Sequence, residues 1–411
     1  MIPRLLLQGA ALNVVARVGT LALGLAVLVV VARMGPEVQG ALALLMAAES
    51  LLVSLGSGLG LQLAREVSHR GGHAGGPLRV LLRQAAVIGA VAGMGLGLLA
   101  WASPAEPYRW LWMLALAAPC LLLAPTAGGL WLGQGRMAAM NLPLLAAPAA
   151  VLLGLLALGG LGLTGMLAVL AVWLLAKATI GLATAGIALR QAGPPQAAAT
   201  VQWRFVAGVG LTNAVSLLNL RLTLFLLERQ EGLGAAGIYS VAVQVAELLW
   251  VLSSAVTLSA YRGIGAPDAD RSARLTLRAA RLNLALAALA APLLSLAAWL
   301  VLPRLLGPAY DGALVPLALL LPGIVLYAPA SALSAYYTNQ RGRPRWSAAV
   351  AGGSLVLTVA IAAWSIPAFG ARGAALATSL AYAVAASGAI GWFLREQGWG
   401  WRALWRTPAP E

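Results

Sequence analysis

Long uninterrupted apolar segments are the feature that most constrains how this chain can fold. The first covers about residues 10–32, and similar segments follow along the whole chain. An α-helix needs about 20 apolar residues to cross the hydrocarbon core of a bilayer, whereas strands of a membrane barrel alternate apolar and polar residues. The pattern therefore predicts an all-α polytopic membrane protein with about 12 transmembrane helices.

The composition agrees with a membrane protein and argues against several soluble classes. Of the 411 residues, 61% are hydrophobic and 9% are charged, whereas soluble proteins carry about 25% charged residues. The net charge of +15 does not indicate nucleic acid, because the arginines lie in short connections between apolar segments. Those connections are too short for a catalytic domain, so we predict a protein that is not an enzyme and needs no cofactor or metal.

The basic residues predict the orientation of the chain. Nineteen of the 27 Lys and Arg residues fall on one set of connections and tails, and five fall on the other. The positive-inside rule then places both termini in the cytoplasm. The predicted parts are an N-terminal six-helix lobe (1–195), a C-terminal six-helix lobe (196–397) and an interfacial cytoplasmic tail (398–411), which mixes tryptophans with arginines.

Short motifs recur about 200 residues apart. The segment 35–40 resembles 232–237, and each ends in glycine and opens a span. Gly162 and Gly370 each open the sixth span of a half. Two halves with an even number of spans form parallel repeats. The sequence therefore predicts two parallel six-helix repeats around a central cleft, and a transport cycle in which the cleft opens to each side in turn.

Prolines recur within the fourth span of each half. Pro119 and Pro125 lie in span four, and Pro322 and Pro329 lie in span ten. Proline removes a backbone donor and bends a helix, so both spans are expected to bend. Ordinary membrane-helix proline without a special role is the alternative interpretation.

Several of these motifs resemble one family of transporters. The segments 33–40, 57–60 and 64–66, together with Asn13 and the loop 134–136, are similar to bacterial polysaccharide flippases. These proteins form part of the multidrug/oligosaccharidyl-lipid/polysaccharide exporter (MOP) superfamily. The resemblance covers nearly the whole chain.

The resemblance implies a specific activity. Such a protein would flip an undecaprenyl-pyrophosphate-linked oligosaccharide from the cytoplasmic to the outer leaflet of a bacterial inner membrane, for surface polysaccharide synthesis. Its partners would be the lipid-linked oligosaccharide, membrane lipid, and a polysaccharide polymerase or glycosyltransferases. The segment 16–19 also resembles lipid II flippases, in which an arginine of the first helix meets the pyrophosphate, so Arg17 is the equivalent candidate and lipid II is an alternative substrate.

Polar stripes on spans one and seven are the first candidate binding residues. Asn13, Arg17 and Thr20 share one face of span one, and Ser216 and Asn219 share one face of span seven. Arg17 is the expected cavity cation of this stripe, with snorkelling to the interface as the alternative. The candidate Arg221 lies off the stripe of span seven, where snorkelling is favoured.

Three further charges lie near the middle of predicted spans. Lys177 is expected either to bind an anion in the cavity or to pair with a carboxylate. Glu49 and Glu247 are candidates for coupling transport to H⁺ or Na⁺. Their alternative role is a structural pair with Arg17 or Lys177.

The same residues bear on two rival functions. An exporter of cationic drugs from the same superfamily would share the fold, and the two mid-span glutamates fit it. Three cations within the spans, against two carboxylates, favour an anionic substrate instead. A membrane polymerase or ligase would need larger outward loops than this sequence has.

Overall fold

A computed structural model describes residues 2–69, 74–102, 108–194, 200–266, 268–343 and 345–404. The side chains of residues 2–14, 109 and 262 are outside this description. The described residues form α-helices and short 3-10 turns, without a strand.

The first half of the chain contains seven described helices and the beginning of an eighth. They are α1 (Ile2–Ala32), α2 (Pro36–His69), α3 (Gly75–Ala102), α4 (Leu111–Leu121), α5 (Leu123–Gly133), α6 (Met137–Gly160), α7 (Met166–Gln191) and α8 (Trp203–Ala246).

The second half continues from α8 with five more described helices. They are α9 (Leu249–Ile264), α10 (Ala269–Leu306), α11 (Leu314–Tyr327), α12 (Ala330–Asn339) and α13 (Arg345–Glu396). A short 3-10 turn at Trp401–Leu404 follows.

Ten stretches of the described chain are long and apolar enough to cross a membrane. Two of them, Trp203–Tyr261 and Arg345–Glu396, are 59 and 52 residues long, more than twice the length that one span requires. Each contains a glycine outside helical geometry, Gly232 (φ 84°) in α8 and Gly370 (φ 55°) in α13. Counting each as two spans gives twelve, which confirms the predicted all-α polytopic membrane fold.

Glycines with positive φ occupy equivalent turns in the two halves. The equivalent pairs are Gly35 and Gly232, Gly135 and Gly342, Gly162 and Gly370, and Gly193 and Gly398. Their separations lie between 197 and 208 residues. Only glycine adopts these backbone angles without strain, so the pairs support the repeat inferred from the sequence.

Spans four and ten are interrupted at corresponding places, as their prolines predicted. Span four divides into α4 and α5 around Leu122, and span ten divides into α11 and α12 around Ala328 and Pro329. The interruptions lie 206 to 207 residues apart. Pro329 has no N–H for the Val325 carbonyl four residues earlier, and this carbonyl accepts instead from the Ala328 amide at 3.2 Å, which tightens the last turn of α11.

The described chain forms two compact units, Met1–Leu217 and Leu218–Glu411. The first residues of α8 belong to the first unit, because they pack closely on α2. A Cβ atom at Gly58 would lie 2.6 Å from the Cα atom of Val206, and the Asn213 amide donates to Ser57 Oγ at 2.8 Å. The predicted lobe boundary after residue 195 stays a prediction.

The described part of the C-terminal tail packs on the second unit. Trp399 lies edge-on to Phe393, with ring centroids 6.0 Å apart, and Ala403 is buried. Arg281 of α10 donates to the carbonyl of Ala403. Trp401 is exposed, as an interfacial anchor requires, while residues 405–411 lie outside the described part.

Candidate functional site

Glu49 and Lys177 form an ion pair inside the first unit. Lys177 Nζ lies 2.7 Å from Glu49 Oε1 and 2.9 Å from Oε2. The indole Nε1 of Trp173 donates to Oε2 at 2.7 Å. The ammonium also lies 4.3 Å from the centre of the Trp173 ring, which is cation–π distance.

Helix geometry explains how one glutamate meets two donors. Trp173 and Lys177 are one turn apart on α7, so both side chains project from the same face toward α2. The Glu49 side chain is 7% exposed and that of Lys177 is 27% exposed. A carboxylate so deeply buried requires a cation and hydrogen bonds, and this site supplies both. Of the two roles considered for Lys177, the structure shows it paired with a carboxylate.

Arg221 and Glu247 form a second ion pair, in the second unit. Arg221 Nη1 donates to Glu247 Oε1 at 2.9 Å, and Nη2 donates to Oε2 at 3.1 Å. This two-pronged contact is the strongest geometry for a guanidinium and a carboxylate. The alternative interpretation of Glu247, a pair with Arg17 or Lys177, is therefore wrong in its partner, while a coupling role stays a prediction. Arg221 lies in the same unit as Glu247 and presents two matching donors. The expectation that Arg221 snorkels to the interface therefore gives way to an ion pair.

Glu247 lies where span eight is irregular. The residue stands between the end of α8 and the start of α9. The amides of Leu248 and Trp250 bond to carbonyls three residues earlier instead of four. Such tightened turns within long helices often mark functional hinges, so the pair with Arg221 spans a local irregularity in the backbone.

Arg17 is not part of either pair. Its side chain is exposed, and none of the salt bridges between described side chains includes it. Asn13 lies on α1, but its side chain is outside the described residues. The Thr20 hydroxyl lies 2.8 Å from the Ala16 carbonyl and 3.2 Å from that of Leu144.

The Leu144 carbonyl needs such a donor because residue 148 is proline. Proline has no N–H for the carbonyl four residues earlier, and Pro148 lies inside α6. The single hydrogen of the Thr20 hydroxyl is shared between the Ala16 and Leu144 carbonyls, so Thr20 compensates the helix defect in part and links α1 to α6. A binding role for Thr20 stays a prediction.

The two candidates of span seven differ in their surroundings. The Ser216 hydroxyl donates to the Thr212 carbonyl of its own helix at 3.0 Å. Asn219 is buried, and its Oδ1 atom has no hydrogen-bond partner. An unsatisfied buried amide oxygen is costly, which makes Asn219 the stronger binding candidate of the two.

Sequence reasoning missed a buried hydroxyl cluster beside the second ion pair. Tyr239, Thr223 and Thr378 place their hydroxyl oxygens 3.2 to 3.4 Å apart. It also missed Asn283, which contacts Thr257 and Ser331. Uncharged polar residues within apolar spans were the available signal, but their partners are distant in sequence.

No family model matches the sequence, and no curated protein matches it. Solved structures do. A multidrug resistance MATE family transporter of the MOP superfamily in its inward-facing conformation aligns with a TM-score of 0.74 at 18% identity, covering 95% of this chain and 96% of that one. An outward-facing structure carrying the same family description has a TM-score of 0.67 at 16% identity, covering 98% and 96%.

A third structure is a MOP superfamily transporter from Pyrococcus furiosus, for which reverse polarity of the binding pocket suggests a different function. It aligns with a TM-score of 0.66 at 16% identity, covering 98% of this chain and 96% of that one. The chain has the MOP transporter fold.

This fold confirms the all-α polytopic architecture that the apolar segments predicted. It does not distinguish the polysaccharide flippases from the drug exporters, because identities of 16 to 18% carry fold information alone. Charges within the spans must make that distinction.

Proposed function

We propose that the protein is a transporter whose substrate is an amphiphile with an anionic headgroup, an undecaprenyl-pyrophosphate-linked oligosaccharide. The state of the mid-span charges carries this proposal. Glu49 is paired with Lys177, and Glu247 with Arg221. Arg17 remains exposed, without an acidic partner among the described side chains. A cation within a span is costly unless it meets an anion or water.

Arginine suits a phosphate-bearing headgroup. Its planar guanidinium offers several donors that match two phosphate oxygens at once. Arg17 lies near the predicted cytoplasmic end of span one, which is the side from which a lipid-linked sugar precursor would enter. The two neutralised carboxylates offer little net attraction to a cationic substrate.

The similar structures support the transport cycle in this proposal. Transporters with this fold have inward-facing and outward-facing conformations, as alternating access requires. The Pyrococcus furiosus transporter, whose binding-pocket polarity is reversed and suggests a different function, supports the use of charge to distinguish substrates within one fold.

The cellular setting is part of the proposal. We place the protein in a bacterial inner membrane with both termini in the cytoplasm, because the basic connections favour that orientation. Glycosyltransferases would then supply the substrate, and a polysaccharide polymerase would consume it on the outer leaflet. Glu49 and Glu247 are the residues for coupling to H⁺ or Na⁺, since each must exchange a partner to take up an ion.

A complementation experiment tests the substrate. A strain lacking the gene is expected to accumulate lipid-linked oligosaccharide on the cytoplasmic leaflet, and the wild-type gene restores surface polysaccharide. Arg17→Gln is expected to reduce this restoration at least tenfold, with Arg17→Lys intermediate. Arg304→Gln, at an exposed arginine near the end of α10, serves as the control. Unchanged lipid-linked sugars in the deletion strain would refute the proposal.

Drug export is the second candidate function. The similar structures are mostly described as MATE transporters, and the buried Glu49 beside Trp173 resembles the acidic and aromatic environment that organic cations bind. This function predicts that deletion sensitises the strain to several cationic drugs, and that Glu49→Gln fails to restore resistance. Unchanged drug susceptibility together with altered surface polysaccharide would select the flippase.

A further inference from the structure

A groove lies among the ends of three helices of the first unit. Its volume is about 300 Å³, and it is lined by Leu61, Arg65 and Ser68 of α2, by Leu132 and Gly133 of α5, and by Phe205 of α8. We call it the interfacial groove. All of its residues belong to the unit Met1–Leu217, and the predicted orientation of the chain places them at the cytoplasmic surface of the membrane.

The interfacial groove changes from apolar to polar along α2. Leu61, Arg65 and Ser68 share one face of the helix, because they are spaced by four and three residues, and Ser68 lies about 10 Å beyond Leu61 along the axis. Leu61 and Leu132 are 42% and 37% exposed, whereas Arg65 and Ser68 lie in the last two turns before α2 ends at His69. A ligand that covers the whole groove must therefore be an amphiphile.

Arg65 gives the polar end of the groove a cation with available donors. Its guanidinium lies 5.1 Å from the centre of the Phe205 ring, which is cation–π distance. Arg65 takes part in none of the salt bridges between described side chains. Contact with a ring face leaves the N–H groups of a guanidinium free to meet two phosphate oxygens at once.

Other arginines of the first unit bind groups of the protein itself. Arg79 donates to the Gly193 carbonyl at 2.9 Å, and Arg136 donates to Gln191 Oε1 at 2.9 Å, so both hold the end of α7. The positive-inside rule explains why such arginines are present. It does not explain why Arg65 lies against an aromatic ring at the edge of an apolar groove.

The charges around Arg65 favour an anionic ligand. Arg204 is exposed and directly precedes Phe205, and both residues lie in the first turn of α8, where the helix carries a partial positive charge. These positive charges outweigh the partial negative charge at the end of α2. Glu66 follows Arg65 in the sequence, but its Oε1 atom accepts from Gln62 at 2.7 Å, and Glu66 does not line the groove.

Ser68 offers a second donor at the same end. Its hydroxyl donates to the Arg65 carbonyl at 2.9 Å. His69 Nδ1 lies 2.7 Å from the same carbonyl oxygen, and a carbonyl oxygen can only accept. The Arg65 carbonyl therefore keeps a hydrogen-bond partner when the Ser68 hydroxyl rotates toward a ligand.

Close helix contacts preform the interfacial groove. A Cβ atom at Gly133 would lie 2.7 Å from the Ala64 carbonyl oxygen, and a Cβ atom at Gly58 would lie 2.6 Å from the Cα atom of Val206. Both α5 and α8 therefore pack directly on the backbone of α2. A ligand does not have to order these three helices, which lowers the free-energy cost of binding.

From these observations we propose that the interfacial groove binds one anionic phospholipid of the cytoplasmic leaflet, of the phosphatidylglycerol class. The phosphodiester contacts Arg65 and Ser68, and an acyl chain covers Leu61 and Leu132. A zwitterionic phospholipid is disfavoured, because its ammonium group would lie near Arg204. A free phosphate ion would leave the two leucines uncovered. The inference does not depend on which substrate the protein transports.

Lipid binding can be measured on the purified full-length protein in detergent after native lipid has been removed. We expect dioleoylphosphatidylglycerol to raise the apparent Tm in a saturable manner, because a ligand of the native state stabilises it by mass action. Dioleoylphosphatidylcholine, dioleoylglycerol and inorganic phosphate at equal concentration should have little effect. Arg65→Gln should raise the half-saturating concentration of dioleoylphosphatidylglycerol about tenfold. Ser68→Ala, at an exposed position, should raise it by a smaller factor.

Arg278→Gln is the matched control. Arg278 is an exposed arginine of α10 in the second unit, so this variant loses the same charge but keeps the interfacial groove intact. Its response to dioleoylphosphatidylglycerol should equal that of the wild type. An equal response to dioleoylphosphatidylcholine would indicate ordinary boundary lipid, and an equal response to inorganic phosphate would indicate a site for a free anion. Either result, or an unchanged response in Arg65→Gln, would overturn the proposal. The measurement involves no transport, so its failure would leave the proposed flippase activity untouched.

Discussion

Lys177 illustrates how a single charge is held within an apolar span. Its ammonium contacts both carboxylate oxygens of Glu49 and lies over the indole of Trp173. Removing one member leaves the other charge buried without compensation, which costs more than the pair itself contributes. The contribution of Glu49 to stability therefore depends on the presence of Lys177, and the reverse also holds.

The dependence of Glu49 and Lys177 can be measured with a double-mutant cycle. Glu49→Leu and Lys177→Leu are each expected to destabilise the protein by roughly 1–3 kcal/mol, as for other charged hydrogen bonds left unsatisfied. The double variant should be more stable than Glu49→Leu, because no buried charge remains. The apparent Tm of the purified protein provides the measurement.

A substitution of Trp173 separates its hydrogen bond to Glu49 from its aromatic contact with Lys177. Trp173→Phe keeps an aromatic ring over the ammonium and removes only the Nε1 donor. Its effect should be smaller than that of either leucine variant, about 1 kcal/mol. Purely additive effects of Glu49→Leu and Lys177→Leu would show that the pair contributes no coupling energy.

The sequence identifies the four residues of the two ion pairs. It identifies only in part which residue pairs with which. A charge in an apolar span is conspicuous, and that signal identified all four members. Pairing depends on which helix faces meet, and Glu49 and Lys177 are 128 residues apart. Glu247 was assigned the wrong partners because Arg221 lies off the polar stripe of its own helix, and stripe geometry says nothing about the neighbouring helix.

At the scale of helices, glycine permits the close approach of α2 and α5. A Cβ atom at Gly129 would clash with the carbonyl oxygen of Gly60. Small residues at helix contacts are the usual means of tight packing in membranes, where lipid provides no hydrophobic drive between helices. The contact lies beside the interruption of span four and fixes its position against α2.

Two adjacent glycines in α5 allow a controlled test of this packing. Gly129→Ala should destabilise the protein by about 1–3 kcal/mol, because the added methyl group overpacks a rigid contact. Gly128→Ala should be neutral or slightly stabilising, since nothing lies within 4 Å of its Cβ position and alanine favours helix. Equal Tm values for the two variants would contradict the tight contact.

The turn inside α13 depends on Gly370. Gly370 has φ 55° and ψ −131°, a region that other residues enter at a cost of about 1–3 kcal/mol, and an added Cβ would meet the Glu231 carboxylate. Gly370→Ala should therefore lower the apparent Tm by several degrees. Gly353→Ala in the same helix has open space at its Cβ position and should not.

Local chemistry explains why these helix interruptions were predictable. Pro329 removes a backbone donor and the paired glycines permit unusual backbone angles, so their effects are local and visible in the sequence. The hydrogen-bonded cluster of Thr257, Asn283 and Ser331 was not predictable, because its members come from three helices and contact one another only when those helices meet.

At the scale of the whole molecule, the distribution of arginines gives a testable topology. Fusions of alkaline phosphatase, which is active only outside the cytoplasm, should be active after Gly162, Gly232 and Gly307. They should be inactive after Gly135, Gly193 and Gly342. Fusions of green fluorescent protein to the same positions should give the opposite result. An active phosphatase at Gly342 would show that the positive-inside assignment is wrong.

The overall fold was predictable to a large extent, since the lengths of apolar segments are set by the thickness of the bilayer rather than by partners. The substrate was not predictable from the sequence, because the same fold serves transporters with pockets of different polarity.

The paired glycine turns also bear on how this protein can change over generations. Gly162 and Gly370 both adopt positive φ at the equivalent turn of their halves, so a saturation-mutagenesis screen should find both intolerant, and Gly370 the more so because a Cβ atom there would also meet Glu231. Arg17 and Glu49 correspond to Ser216 and Ala246, so tolerance there should differ between the halves. Duplication has thus produced two kinds of position. At the glycine turns, natural selection keeps the same residue in both halves, because both halves need the turn. At positions such as 17 and 49 it keeps a charged residue in one half, and the equivalent position in the other half is free to acquire new chemistry.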